Sequence, residues 1–442
     1  MDQLLTTGQV ITTEASNLPC TIYELLGSGG QGEVYRATLK NTTVALKWYY
    51  PAYLKEDVSL RQRLEKAVAS GPPTDRFLWP LSIVSDSKLE GFGYVMYIRE
   101  PQYKGIIDLV KRRIDPSFRA LVTAALGLVD SFFQLHAKGL CYCDISFGNV
   151  FFAPDTGDIL ICDNDNVAPN GGAHGAILGT AGFMAPEIVL GKAAPSKQSD
   201  LYSLAVLLFY MFMVHHPLEG KKEAEIRCLD MPARKKLYGA EPVFIFNPDD
   251  ESNRPVPGIH DNAIACWEIY PLFLRDLFTK AFTEGLIDPE NGRITEGIWR
   301  PAMVRLRDSL LYCSHCSSEN FYDADALKAS GGKPAICWSC SAEVSPPARI
   351  RIGRNIIMLN YDTKLFPHHV DDSKLYDFSK PVAEIAQSPN DSNSWGLTNL
   401  SSTNWVSTTL EGTVKEIEPG QSATLMAGLK INFGKSEGEI RL

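Results

Sequence analysis

The sequence predicts an α+β chain of several folding units, ending in a small cysteine-pinned module and an all-β sandwich tail. Three observations carry this. Residues 23–50, within the first hundred, alternate apolar and polar like strands. An 11-residue apolar run, LAVLLFYMFMV at 204–214, reads as a buried helix too short to cross a bilayer. From Ala348 onward, short runs such as RIRIGRNIIML, WGLTNLSSTNW and ATLMAGLKINFG alternate with turn residues. At 442 residues the chain is too long for a single core.

Composition narrows the function classes. The chain is 45% hydrophobic and 21% charged, and its net charge of -9 argues against broad, charge-driven binding to nucleic acid or anionic membranes. The opening MDQLLTTGQV lacks the basic start and apolar core of a secretory signal. Of ten cysteines, four form two CxxC pairs and six are scattered, which fits a reducing cytoplasm. A cytoplasmic protein with no membrane partner is expected.

Near the front stands YELLGSGGQGEVYRATLKNTTVALKWYY. Gly27, Gly29 and Gly32 interrupt its strand pattern as GxGxxGxV, closed by Val34. Glycines there let the backbone approach a polyphosphate, though a plain hairpin turn makes the same pattern. A dinucleotide fold needs a helix after the glycines, and EVYRATL reads as another strand. Fifteen residues beyond Gly32, Lys47 ends the apolar strand VALK, which also carries Ala45. A lysine there can neutralise phosphates if something fixes its stem. The helical segment VSLRQRLEKAVAS offers Glu65 for an ion pair, with Glu56 as the fallback.

The segment CYCDISFGN follows, with Asp144 and Asn149 five apart. Fourteen residues after Asn149, ILICDND ends an apolar strand at Asp163. GTAGFMAPE closes on Glu187, SDLYSLAVLLFYMF opens with Asp200, and DPENGRIT supplies Arg293. In this order and spacing the landmarks resemble the eukaryotic-type protein kinase family, whose catalytic loop reads HRDxxxxN. The resemblance covers roughly residues 20–308. It implies a bilobal kinase fold, with an N-lobe over 1–99, a C-lobe over 100–308, and Arg293 as the partner of Glu187.

The resemblance also implies roles. The glycine loop covers the ATP phosphates, Lys47 contacts them, and Glu65 holds Lys47. Asp144 orients the attacking hydroxyl and takes its proton, while Asn149 and Asp163 hold Mg2+. Met96 lines the back of the adenine pocket, with Tyr97 and Ile98 leading into the hinge. Thr180 and the GTxxF segment favour serine or threonine of a protein substrate as acceptor.

Several positions depart from the family pattern. Tyr142 stands for the loop histidine, and Cys143 for the arginine that a phosphate on the activation loop neutralises in many relatives. Between Asp163 and Glu187 the only hydroxyl residue is Thr180. Activity independent of loop phosphorylation is therefore expected. Ser146 stands where serine/threonine kinases carry lysine, and Gly148 where tyrosine kinases carry arginine. A missing cation at a transition-state position keeps a nucleotide-binding scaffold without transfer as the alternative. Asn164 and Asp165 replace Phe and Gly, and Asp165 reads as a turn cap before a metal ligand. Residues 217–265, with FNPDDESNRPVPG, read as a polar loop over the lower lobe that either docks partners or is merely solvated.

Cys313, Cys316, Cys337 and Cys340 form CxxC, twenty residues, CxxC. Four thiolates at this spacing suit a closed, structural Zn2+ site and a zinc ribbon over 309–346, with His315 a spectator. Basic residues nearby are sparse, so a protein-docking or spacer role is expected ahead of nucleic-acid binding. The tail, 347–442, resembles a forkhead-associated domain: Gly353 and Arg354 match its opening, and Ser402 and Asn404 its SxN positions, with Trp405 where glycine is usual. Its SxxH element is not recovered, and LFPHHV offers Phe366 and His369 instead. A sandwich serving protein contacts is thus expected ahead of phosphopeptide binding. The whole combination is similar to bacterial kinases that accompany a metal-dependent phosphatase and a von Willebrand A protein in stress or tellurite-resistance clusters, which implies those two partners.

Overall fold

A computed structural model describes residues 3–172, 178–388 and 391–442. The chain divides into two compact units, Met1–Glu268 with Arg275–Pro301, and Ile269–Leu274 with Ala302–Leu442. The division falls inside the helix Glu296–Asp308, ahead of residue 308.

The first unit opens with six strands: β1 (Val10–Thr13), β2 (Pro19–Ser28), β3 (Gly32–Leu39), β4 (Thr42–Tyr49), β5 (Ser82–Ser85) and β6 (Gly93–Tyr97). They close into a barrel in the order β1-β2-β3-β4-β6-β5, with β1 pairing antiparallel to both β2 and β5. The two-residue period of β4 decides what faces where. Val44, Leu46 and Trp48 point into the barrel with Ile11, Ile22, Tyr35 and Val95. Ala45 and Tyr49 point the other way, packing with Leu60 and Leu64 of a helix that follows the barrel strands β1–β4. Lys47 shares that second face by register. Gly32 is required by proximity: a Cβ there would lie 2.1 Å from the Trp48 carbonyl oxygen.

Two helices connect β4 and β5, α1 (Pro51–Glu56) and α2 (Leu60–Ser70). The lower part of this unit is built on two long helices. Phe118–Ala137 starts at Ser117, whose side chain accepts from the Ala120 amide. It is the one helix among the described residues long and apolar enough to span a membrane, and most of it is buried. Lys197–Met213 starts with a reciprocal Ser196/Ser199 capping box and is buried on nearly every side, as its apolar sequence demands.

Residues 217–265 differ from the solvated loop their polarity suggests. Asn253, fully buried, donates to the Leu218 and Val243 carbonyls at 2.9 and 2.7 Å and accepts from the Lys222 amide at 2.9 Å. One amide side chain thus satisfies three backbone groups, and Leu218, Leu237, Tyr238, Phe244 and Ile245 of the same stretch are buried. Composition missed this because the proline- and acid-rich stretch hides its few apolar anchors.

In the second unit, the hairpins Leu310–Tyr312/Glu319–Phe321 and Ala335–Ile336/Glu343–Val344 each carry one CxxC pair in their turn. A six-stranded antiparallel sheet runs from Asn355–Met358 at one edge to Val414–Ile417 at the other, and a four-stranded sheet from Lys364–Leu365 to Ser422–Thr424. Both contribute to one core containing Ile350, Leu365, Leu397, Trp405, Ile431 and Ile440. Met358 of the larger sheet packs with Cys313 and Cys337, so the cysteine module and the sheets share packing.

Candidate active site

The β2–β3 hairpin pairs Gly27 with Val34 and Ser28 with Glu33, which leaves Gly29, Gly30 and Gln31 as its tip. Beneath lies a cavity of about 440 Å³, lined by the loop from Gly27 to Gly32 and by Val34, Lys47, Asp144, Asp163 and Asn166. Beside it, Ala45 pairs with Met96 across β4 and β6, both buried, and Ile98 is partly buried in the same cluster. Open space surrounds Gly27 and Gly29, so both leave the cavity roof bare.

Lys47 enters from β4 and is buried. Its Nζ lies 2.9 Å from Asp165 Oδ2 and 3.3 Å from Asp163 Oδ1, and it donates to Gln31 Oε1. Burial alone would pull the amine pKa down, but Asp165 and then Asp163 outweigh it and hold the amine above its ordinary value. It therefore stays charged.

Glu65 takes no part. It is exposed and pairs with Arg61 one turn away at 3.2 Å, and Glu56 is exposed as well. The inward positions of α2 are Leu60, Arg63 and Leu64, and Glu65 falls beyond that stripe. The turn-cap reading of Asp165 also fails. Its side chain has no exposed surface, meets Lys47, and accepts from the Tyr49 hydroxyl. Gln31, Tyr49, Arg63 and Asp165 were the residues that motif spacing did not find.

The segment CYCDISFGN is held from below. Asp200 accepts from the Tyr142 and Cys143 amides at 2.5 and 3.0 Å. Cys143 is at φ 72, a left-handed conformation uncommon for a residue with a side chain, and these bonds hold it there. The Tyr142 hydroxyl donates to the Cys162 carbonyl, and its ring packs edge-on against Phe132 at 5.5 Å. Tyr142 thus ties this segment to the residue before Asp163 and to the helix Phe118–Ala137. Asp163, also left-handed at φ 48, starts the helical turn Asn164–Asn166. Asn164 donates to the Leu78 and Ile161 carbonyls at 2.9 and 3.0 Å.

Asp144 Oδ1 accepts from the Thr180 hydroxyl at 2.7 Å, and Asn149 Nδ2 donates to the Asp144 carbonyl and Oδ2 at 2.8 and 3.2 Å. Burial raises the Asp144 pKa above 3.8, with the Thr180 and Asn149 bonds pulling the other way. Because Asn149 spends its nitrogen on Asp144, its amide oxygen is the atom left for a cation. With Asp163, 41% exposed, this makes an oxygen donor set suited to Mg2+. Ser146 is buried, and Lys47 is the one cation among the described residues lining the cavity. Arg293 Nη2 meets Glu187 Oε2 at 2.7 Å, the pair expected from sequence.

Deeper in this unit, His136 bridges Asp200, at 3.1 Å through Nε2, and Glu296, through Nδ1. Burial would lower its pKa, but the bonds to Asp200 and Glu296 raise it from 6.5 to about 9. The folded value lies above the unfolded one. The bridge therefore stabilises fully below pH 6.5, and that stability is lost as pH rises through about 9. Urea unfolding at about pH 6 and about pH 10 is expected to differ by roughly 3 kcal/mol from this group, a difference that His136→Gln abolishes.

In the second unit the Sγ atoms of Cys313, Cys316, Cys337 and Cys340 lie within 4.8 Å of one another. Ser317 and Ser341, at φ 61 and 60, donate to the Cys313 and Cys337 carbonyls at 2.9 Å, so the two knuckles repeat one geometry. Four converging thiols fit Zn2+. Elsewhere in this unit, Gly353 and Arg354 form the turn before Asn355–Met358, and Ser402 is exposed. Asn404 is engaged by Glu416 at 2.7 Å, and His369 is buried against Asp308 at 3.2 Å.

Residues 87–257 match the protein kinase domain family. The chain is 30% identical over 169 residues to Leucine-rich repeat serine/threonine-protein kinase 1 of Caenorhabditis elegans, covering 35% of this chain and 6% of that protein. It is 26% identical over 254 residues to Serine/threonine-protein kinase PknD of Chlamydia trachomatis serovar D, covering 48% and 26%. To Probable serine/threonine-protein kinase PkwA of Thermomonospora curvata it is 26% identical over 259 residues, covering 57% and 32%. The chain thus spans at most about a third of the length of these relatives.

Proposed function

We propose, from the protein kinase domain that residues 87–257 carry, that the chain transfers the γ-phosphate of ATP to serine or threonine of a protein partner, with Mg2+. The observation that carries this is the convergence of Lys47, Asp144 and Asp163 on one cavity under the glycine loop, with Asn149 bonded to Asp144. Lys47 neutralises phosphate charge, Asp144 orients the acceptor hydroxyl, and Asn149 and Asp163 hold the cation. When bound, Mg2+ supplies charge neutralisation at the phosphates. Val34, Ala45, Met96 and Ile98 flank the base, and Gly27, Gly29 and Gly32 cover the phosphates. Cys143 gives an activation-loop phosphate no arginine to bind, so no such phosphate is needed. The decisive experiment incubates the purified chain with γ-labelled ATP, Mg2+ and protein acceptors. Label recovered as phosphoserine or phosphothreonine supports transfer, while nucleotide binding without label supports the scaffold reading that the missing cation at Ser146 favours.

In this proposal residues 1–99 and 100–308 are the lobes, 309–346 a zinc ribbon and 347–442 a forkhead-associated-like sandwich that makes protein contacts. The engagement of Asn404 by Glu416 argues against phosphopeptide binding there. The setting is the cytoplasm, in a bacterial stress response, with a metal-dependent phosphatase and a von Willebrand A protein as partners. Because four thiolates hold the ribbon shut, a strong chelator is expected to release one zinc per chain and lower the melting temperature of the second unit. Metal analysis with calorimetry checks this.

A further inference from the structure

We propose that Asp165 is the positioning residue that holds the Lys47 amine, and that α2 supplies a cation, Arg63, to hold the loop bearing it. This deepens, and rests on, the transfer reading of the same cleft. The two carboxylates near Lys47 are not equivalent. Asp165 is the nearer, at 2.9 Å, and its side chain is fully buried, whereas Asp163 stands 3.3 Å away and is 41% exposed. A carboxylate that serves a divalent cation shares its charge with it. A buried ammonium then needs a second anion for which neither water nor metal competes. Asp165 meets that need, and the Tyr49 hydroxyl fixes its orientation.

The loop is fastened from behind. Arg63 Nη2 reaches the Asp165 carbonyl at 3.5 Å, while the same guanidinium binds both Asp57 oxygens at 2.9 and 2.7 Å. Asp57 and Arg63 are both buried. Charges therefore alternate from Asp57 through Arg63 and Asp165 to Lys47. The helix contributes its cation to this series and no anion, because its one nearby carboxylate, Glu65, points to solvent. Alignment of the amine is set by the segment next to Asp163 and does not require α2 to swing a carboxylate inward.

The parent, Asp165→Asn, Lys47→Met and the double variant decide the matter. Thermal unfolding without nucleotide is the first readout. Asp165→Asn is expected to lower the midpoint by several degrees when Lys47 is present, and not to lower it in the Lys47→Met background, where the ammonium that Asp165 pairs with is gone. Steady-state transfer is the second: kcat falls about tenfold or more in Asp165→Asn while KM for ATP stays within about threefold. Equal midpoint losses in both backgrounds overturn the proposal. So does transfer by Asp165→Asn at the parent rate, or a Glu65→Ala variant that loses as much as Asp165→Asn. A parent without transfer counts against the kinase reading, and the unfolding cycle still decides the pairing.

Discussion

Asp144→Asn is expected to reduce phosphoryl transfer about 10²–10⁴-fold, the range associated with one positioned acid–base group. The amide keeps the size of the side chain and can still bond Thr180, but it cannot accept the acceptor's proton. Nucleotide affinity should change little, because in the proposed reading Lys47 meets the phosphates and Asp163 the cation, while Asp144, which lines the same cavity, serves the acceptor hydroxyl. Single-turnover transfer beside equilibrium nucleotide binding separates the two quantities. The parent's acid limb is informative as well. Burial raises the Asp144 pKa above 3.8, so transfer should begin to fail at a higher pH than an exposed aspartate would allow. Comparable rates for parent and variant would remove Asp144 from the mechanism.

Asp200→Ala should produce the largest loss of stability in the first unit, roughly 3–5 kcal/mol, as expected when one member of a buried charge set is deleted. Three partners lose their acceptor at once: the Tyr142 and Cys143 amides and His136 Nε2. His136 retains Glu296, but the two amides become buried donors without an acceptor. Cys143 also loses the bonds that keep it at φ 72, so Asp144, the next residue, leaves its alignment. Transfer should fall even where enough protein remains folded. Denaturant unfolding gives the first number and activity per folded molecule the second. A variant that unfolds like the parent would mean that Asp200 is dispensable.

Landmarks set by short-range chemistry were legible in the sequence. Asp144 and Asn149 meet because only four residues of loop separate them, and each CxxC pair sits in one turn. The Glu187–Arg293 pair spans 106 residues, yet both partners lie in recognisable segments. What escaped was chemistry decided by face. Glu65 has the charge but the wrong helical angle, and Asp165 has a turn residue's sequence but a buried position. The two-residue period of β4 placed Lys47 and Tyr49 together, and nothing in spacing alone revealed that the Tyr49 hydroxyl would close on Asp165. The insert hid its order for a related reason: a single buried asparagine does the organising, and an asparagine among prolines and acids reads as surface.

The seam between β1 and β5 gives the opening residues a protective duty. Every strand of that barrel has a neighbour on both flanks, so no row of unpaired amides and carbonyls invites another chain. Shortening the polypeptide through Thr13 would bare the flanks of β2 and β5 together, turning a sealed cylinder into a sheet with two adhesive margins.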